Sequence, residues 1–194
     1  MAQPKRRATY EDLMEVPDHL VAEIIDGELI TSPRPASPHA WAASAIGSDL
    51  GGFSRHPSSP GGPGGWWILG EPELHLAEDV VVPDIAAWRQ SRMPLVPNVA
   101  YFTLPPDWAC EVVSPGTGRI DRTRKMVIYA RAGIGHVWLV DPLARTLEVF
   151  RLSAGRWIVA SAYGGDDVVR AEPFDSIELD VGRCVRTRAD GEHD

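Results

Sequence analysis

Cysteine is scarce in this sequence, with two residues in 194, Cys110 and Cys184. Their positions give neither metal-ligand spacing nor a disulfide framework, so cross-linking and cysteine-held metal are excluded as organising devices. A reduced, cytoplasmic setting is the expectation. Long apolar runs are also missing. No stretch approaches the roughly 18 residues that a membrane helix needs. The basic start MAQPKRRATYEDL has no apolar run behind it; neither a membrane association nor a secretory signal is expected. Positive charge is in deficit too: the formal net charge is −8 and the pI about 5.2. That balance argues against coating nucleic acid by charge alone. It leaves room for an enzyme that meets DNA through a local basic face and metal ions.

What is present is ordinary globular composition, 44% hydrophobic and 24% charged, long enough for one domain with a real core. One domain is expected over 1–194, with its core at about 10–179. The run ATYEDLMEVP reads as a short helix with Thr9 and Asp12 as a capping box. LVAEIIDGELITSP reads as a β-hairpin turning at Asp26-Gly27. SPHAWAASAIGSDLGGF reads as a helix with Ser37 as N-cap, Pro38 next, and Gly51-Gly52 as the stop. Residues 55–65, RHPSSPGGPGG, have the composition of a flexible internal loop. No Gly-Lys-Ser/Thr follows, so a phosphate loop is not indicated. WWILGEPELHL, DVVVPDIAAW and DWACEVV look like strands, and RIDRTRKMVIYARAG like a helix with Ile120, Val127 and Ala130 inward and Gly133 as stop. HVWLVD, TLEVFRL and RWIVASAY are further strands, and SIELDVGRC a last one, before an expected disordered tail at 183–194. The order is that of a mixed α/β domain, not an alternating βαβ repeat. Six of the seven tryptophans fall in strand-like runs, which suits sheet packing better than base stacking.

The chemistry concentrates in three residues. Asp84, in VVVPDIAAW, follows a proline and taken alone reads as a strand edge. Glu111, in DWACEVV, shares a strand face with Ala109 and Val113, with Cys110 and Val112 on the other. If buried, such an acid needs a cation. Two strand-borne acids that converge would hold a hard divalent ion through oxygen, with Mg²⁺ the natural choice and Mn²⁺ expected to substitute. Lys125 stands fourteen residues after Glu111. It lies four after Asp121 on the expected helix, either as a surface salt bridge or as an ammonium turned toward the acids. Ser114 lacks the strand-turn-helix setting of a hydrolase nucleophile. His136 and Asp141 read as the ends of a strand.

The motifs VPD, CEVVSP, DRTRK, YARAGIGHVWLVDP and the early EIIDGELI together resemble the Uma-type restriction-endonuclease family, within the PD-(D/E)XK nuclease superfamily, over about Tyr10 to Leu179. The resemblance implies a restriction-endonuclease-like α/β fold, a mixed central sheet flanked by helices with an N-terminal hairpin. It implies metal-dependent hydrolysis of DNA phosphodiesters, with Asp84 and Glu111 as catalytic acids and metal ligands. The superfamily's lysine position, two residues beyond the second acid, is Val113 here, and Lys125 is the expected substitute. Glu23 matches an E-x-x-D-G-E element as an auxiliary ligand, and His39 also fits the family pattern. Arg119, Arg122 and Arg124 around Lys125 are the expected phosphate-contacting patch. A homodimer would serve cleavage of both strands. Two alternatives stand beside this reading: a nuclease-like binding or regulatory module without catalysis, and a metal-dependent hydrolase of a non-DNA phosphodiester.

Overall fold

Thr9 starts the first element. Its hydroxyl accepts from the Asp12 amide, and the Asp12 carboxylate accepts from the Thr9 amide at 2.8 Å, closing a capping box on helix α1 (Tyr10–Met14). The computed structural model describes residues 6–54 and 64–185. Strands β1 (Leu20–Ile25) and β2 (Glu28–Pro33) pair as the predicted antiparallel hairpin. Asp26 and Gly27 take φ values of 53° and 80°, as a type I′ turn requires.

Helix α2 (Ser37–Asp49) begins one residue earlier than expected. Ala36 is the N-cap and Ser37 already helical, so no side chain caps this end. The glycines do not stop it cleanly either. The chain tightens into a 3₁₀ turn, Leu50–Ser54, held by burial of Leu50 and Phe53.

The two valine- and tryptophan-rich runs each break in two. They give β3 (Trp66–Gly70), β4 (Leu74–Leu76), β5 (Asp79–Val81) and β6 (Ile85–Arg89). Pro72 and Pro83 fall at the breaks, where a residue without an N–H cannot continue a ladder. The halves then part company. β4 and β5 join the hairpin in an antiparallel sheet of order β2-β1-β5-β4. β3 and β6 join β7 (Trp108–Val112), β8 (His136–Asp141), β9 (Thr146–Ser153) and β10 (Arg156–Gly164) in a sheet of order β10-β9-β8-β7-β6-β3. Asp84 therefore lies between strands, where the chain passes from one sheet to the other, and not inside a strand.

Within the larger sheet β7 and β8 are parallel, joined by a helical crossover. That crossover has three parts: α3 (Gly118–Ile120), a π-helical turn Asp121–Lys125, and α4 (Met126–Ala132), ended by left-handed Gly133. The π turn adds one residue and rotates the rest of the helix by about 100° relative to regular α spacing. Val127, expected inward, is 57% exposed, whereas Met126, Ile128 and Tyr129 are buried. Ala130 is only partly covered. The described residues end in a short pair, β11 (Val168–Val169) with β12 (Leu179–Asp180), and helix α5 (Val181–Val185). The expected last strand is thus reduced to Leu179–Asp180. Arg183, Cys184 and Val185, expected in a disordered tail, complete α5, and 186–194 lie outside the described residues. So do residues 55–63 of the expected internal loop.

Side-chain alternation sends Trp108, Cys110 and Val112 of β7 to one core, shared with α2 and α5. Ala109 and Val113 face a second core with Met126, Ile128, Tyr129 and the smaller sheet's Ile25, Leu74 and Val81. β7 is covered on both faces, so an acid on it is buried. The tryptophans serve this packing: the indoles of Trp67, Trp88, Trp138 and Trp157 donate to the carbonyls of Met93, Leu104, Glu172 and Met126. Among the described residues no helix is long and apolar enough to cross a membrane.

Candidate active site

Glu111 is 2% exposed and Lys125 4% exposed. The helix that follows β7 folds back over it, and the π turn aims Lys125 at the strand. The ammonium lies 3.1 Å from Glu111 Oε1 and 3.2 Å from Oε2, so both carboxylate oxygens face it. It also lies 2.9 Å from Glu23 Oε1 on β1, 3.7 Å from Asp121 Oδ1, and within 3.4 Å of the Val82 carbonyl. Strands β1 and β7, the π turn and the segment after β5 thus converge on one amine. The Asp121–Lys125 pair forms as the four-residue spacing predicts, but in the interior and not on the surface.

Four further contacts fix the acids. The Tyr129 hydroxyl donates to Glu111 Oε1. Glu23 Oε1 accepts from the Val82 amide at 2.8 Å, tying the hairpin to the segment that leads into Asp84. Asp84 Oδ2 accepts from the Val112 amide at 2.7 Å, next to Glu111 in sequence. Its Oδ1 faces His39 Nε2 of α2 at 3.3 Å. Asp84, Glu111, Lys125, Glu23 and His39 all line one cleft of about 360 Å³. A second cavity, of about 480 Å³, lies along α2 and shares His39, Glu71 and Asp84 with it.

Val113, where the resemblance places a lysine two residues beyond Glu111, is buried, and its Cγ1 would lie 2.6 Å from a Cβ placed on Gly118, so a side chain larger than glycine's there would force the valine to shift.

Electrostatics follow from burial. Desolvation opposes charge on Lys125, but Glu111, Glu23 and Asp121 outweigh it and hold its pKa well above the ordinary value; the ammonium is a fixed cation. Burial pushes Glu111 well above the carboxylate range, opposed by Lys125 and reinforced by Asp121, Asp84 and Glu23. Asp121 is raised for the same first reason. Burial works against charge on His39, yet the hydrogen bond and charge of Asp84 leave its pKa raised. Asp84, Glu111, Asp121 and Glu23 outnumber the cationic groups among them.

The arginines behave otherwise. Arg122 pairs with Glu148, and with Asp141 at 3.6 Å. Arg124 spans Asp26 at 3.0 Å and Glu28 at 2.8 Å on the hairpin. Arg119 is exposed on α3. None of the three lines either cavity. The arginine that does is Arg34. The sequence motifs do not single out Tyr129 or Arg34. Tyr129 was detectable as the next polar residue in the series 121, 125, 129; Arg34 carries no such signal.

Among the described residues no three of His, Cys, Asp and Glu are arranged to hold a metal ion. The donor chemistry nonetheless suits one. Mg²⁺ commonly takes one or two carboxylates with water and substrate oxygens completing its shell. Asp84 and Glu111 open onto one cleft whose acids exceed its cations.

The sequence model of the Uma2 family, described as "Putative restriction endonuclease", matches residues 7–182. This chain is a member of the Uma2 family. No curated protein matches it. Among solved structures, a "putative nuclease" from Anabaena variabilis, determined at 1.96 Å resolution, aligns with a TM-score of 0.73 at 22% identity. The alignment covers 92% of this chain and 97% of that one, so the Uma2 chain has that protein's fold.

Proposed function

We propose that this protein is a divalent-metal-dependent endonuclease that hydrolyses phosphodiester bonds in DNA, with Asp84 and Glu111 as the residues that hold the ion. The observation that carries the reading is the meeting of Lys125 with both oxygens of Glu111, in the cleft that Asp84 also lines. Family membership and the description of the structural neighbour as a nuclease support it. A bound ion would supply Lewis-acid activation of the phosphate and of a water molecule.

The chain's own groups divide the remaining work. Lys125, charged and desolvated, is suited to stabilise negative charge that develops on the phosphate. It cannot serve as a general base while its carboxylate neighbours hold the proton on. Tyr129 and Lys125 together fix the orientation of Glu111, and the Val112 amide fixes that of Asp84. Glu23 acts on Lys125 and on the Val82 backbone. His39 holds the second oxygen of Asp84.

The test is cleavage of single- and double-stranded DNA, RNA and small phosphodiesters with Mg²⁺ or Mn²⁺, and with chelator. DNA cleavage that needs metal is expected. Asp84→Asn and Glu111→Gln should abolish it, and Lys125→Met should lower the rate on the order of 100- to 1000-fold. Cleavage of small phosphodiesters alone would shift the reading to a non-DNA hydrolase. No metal-dependent cleavage of any substrate would leave a nuclease-like binding module.

A further inference from the structure

An acid-lined cleft repels the polyanion it is proposed to cut, so some exposed cation must meet the backbone. The arginines nearest Lys125 in sequence are turned elsewhere. Of the cations that line the cleft, Lys125 is buried among carboxylates, and Arg34 is accessible, its side chain 56% exposed. It sits just after β2, at the cleft mouth. Its guanidinium donates to the Asp18 carbonyl at 3.1 Å and pairs with Glu71 Oε2 at 3.5 Å. That ion pair is long and solvent-facing, the kind a phosphate can displace, and a guanidinium offers phosphate a two-pronged fit.

Glu71 supplies an independent observation. It lines both cavities and stands at φ 47°, in the left-handed region that favours glycine. Its amide donates to the Asp84 carbonyl at 2.9 Å, so the strained turn is built onto the chain at the first catalytic acid. A glutamate kept in a conformation that glycine would adopt more readily points to a use for its side chain.

We propose that Arg34 takes a backbone phosphate of the substrate at the cleft mouth, and that Glu71 holds Arg34 in the free protein and competes with that phosphate. This rests on the nuclease reading and names the residue through which the substrate is gripped. Both side chains are exposed, so substitutions there leave the fold intact, which thermal unfolding checks.

The experiment is binding of a short labelled DNA duplex, followed by fluorescence anisotropy across a salt series, with Ca²⁺ replacing Mg²⁺. Each phosphate contact contributes a slope of about 0.9 in log affinity against log salt. Arg34→Ala should weaken binding whatever the sequence and reduce the slope by about 0.9. Glu71→Gln should tighten binding several-fold, and should do nothing when Arg34 is already alanine. If wild type binds but Arg34→Ala leaves the slope unchanged, the Arg34 assignment fails while the nuclease reading stands. If Glu71→Gln tightens binding equally without Arg34, the competition between them fails. If wild type binds no DNA at all, both this assignment and the reading beneath it fall.

Discussion

Lys125 sits in a site with almost no solvent, and its removal would leave Glu23, Glu111 and Asp121 facing one another without a counter-charge. Breaking a buried ion pair from one side costs about 3–5 kcal/mol. Lys125→Met should therefore lose about that much stability in urea unfolding at pH 7. The loss should shrink on acidification. Burial already raises the pKa of Glu111 and Asp121, and loss of the ammonium, which opposes that rise, lifts them further. A carboxyl whose folded pKa lies above its unfolded value takes up a proton first in the folded state. Its contribution to stability grows as pH falls through the folded value and levels off below the unfolded one, near about 4. The gap between wild type and Lys125→Met should accordingly narrow as pH falls from neutral toward the unfolded carboxylate value, about 4. A constant gap over that range would show that the acids do not depend on the amine for their charge.

At the scale of the element, the π turn decides what the crossover helix presents. Regular spacing from Ile120 leads to Val127, and one inserted residue moves the inward position to Ile128, which is 2% exposed against 57% for Val127. Val127→Lys should change stability by no more than about 0.5 kcal/mol, while Ile128→Ala should cost about 2–5 kcal/mol. Thermal or urea unfolding of the two variants reads the helix phase directly. The same turn marks where sequence reasoning stops. The hairpin at Asp26-Gly27 and the capping box at Thr9 were legible because their chemistry is local, complete within four residues. The π insertion has no such signature, since α periodicity fits DRTRK equally well. The division of DVVVPDIAAW between two sheets was half visible: Pro83 marks the break, but which sheet each half joins depends on distant partners. Likewise the spacing of Asp121 and Lys125 makes them neighbours, and only β1 and β7 closing over them makes the pair internal. Arg124 faces the hairpin and Arg122 faces β9, which is why nearness along the chain did not carry them to the cleft.

Across the whole molecule, negative charge is in excess, at −8, and part of that excess is gathered at the junction of the two sheets. Each sheet contributes acids there: Glu23 comes from the smaller, Glu111 from the larger, and Asp84 from the segment between them. Such a gathering disfavours the free folded state, because like charges repel one another more strongly in a low-dielectric cleft than in water. A divalent cation would relieve it, and anything that binds the folded state alone stabilises it by mass action. At a concentration a hundred times its dissociation constant the gain is about 2.7 kcal/mol, which in a chain of this length raises the melting temperature by about 5–10 °C. Mg²⁺ or Mn²⁺ should therefore raise the melting temperature of wild type and leave that of Asp84→Ala nearly unchanged. Removing Asp84 relieves some of the crowding by itself, so the variant without metal need not melt much earlier than wild type despite the lost Val112 contact. The informative quantity is the shift on adding metal, not the starting value. An equal shift in both proteins would place the ion away from Asp84, and no shift in wild type would mean that Lys125 alone balances the acids between the sheets.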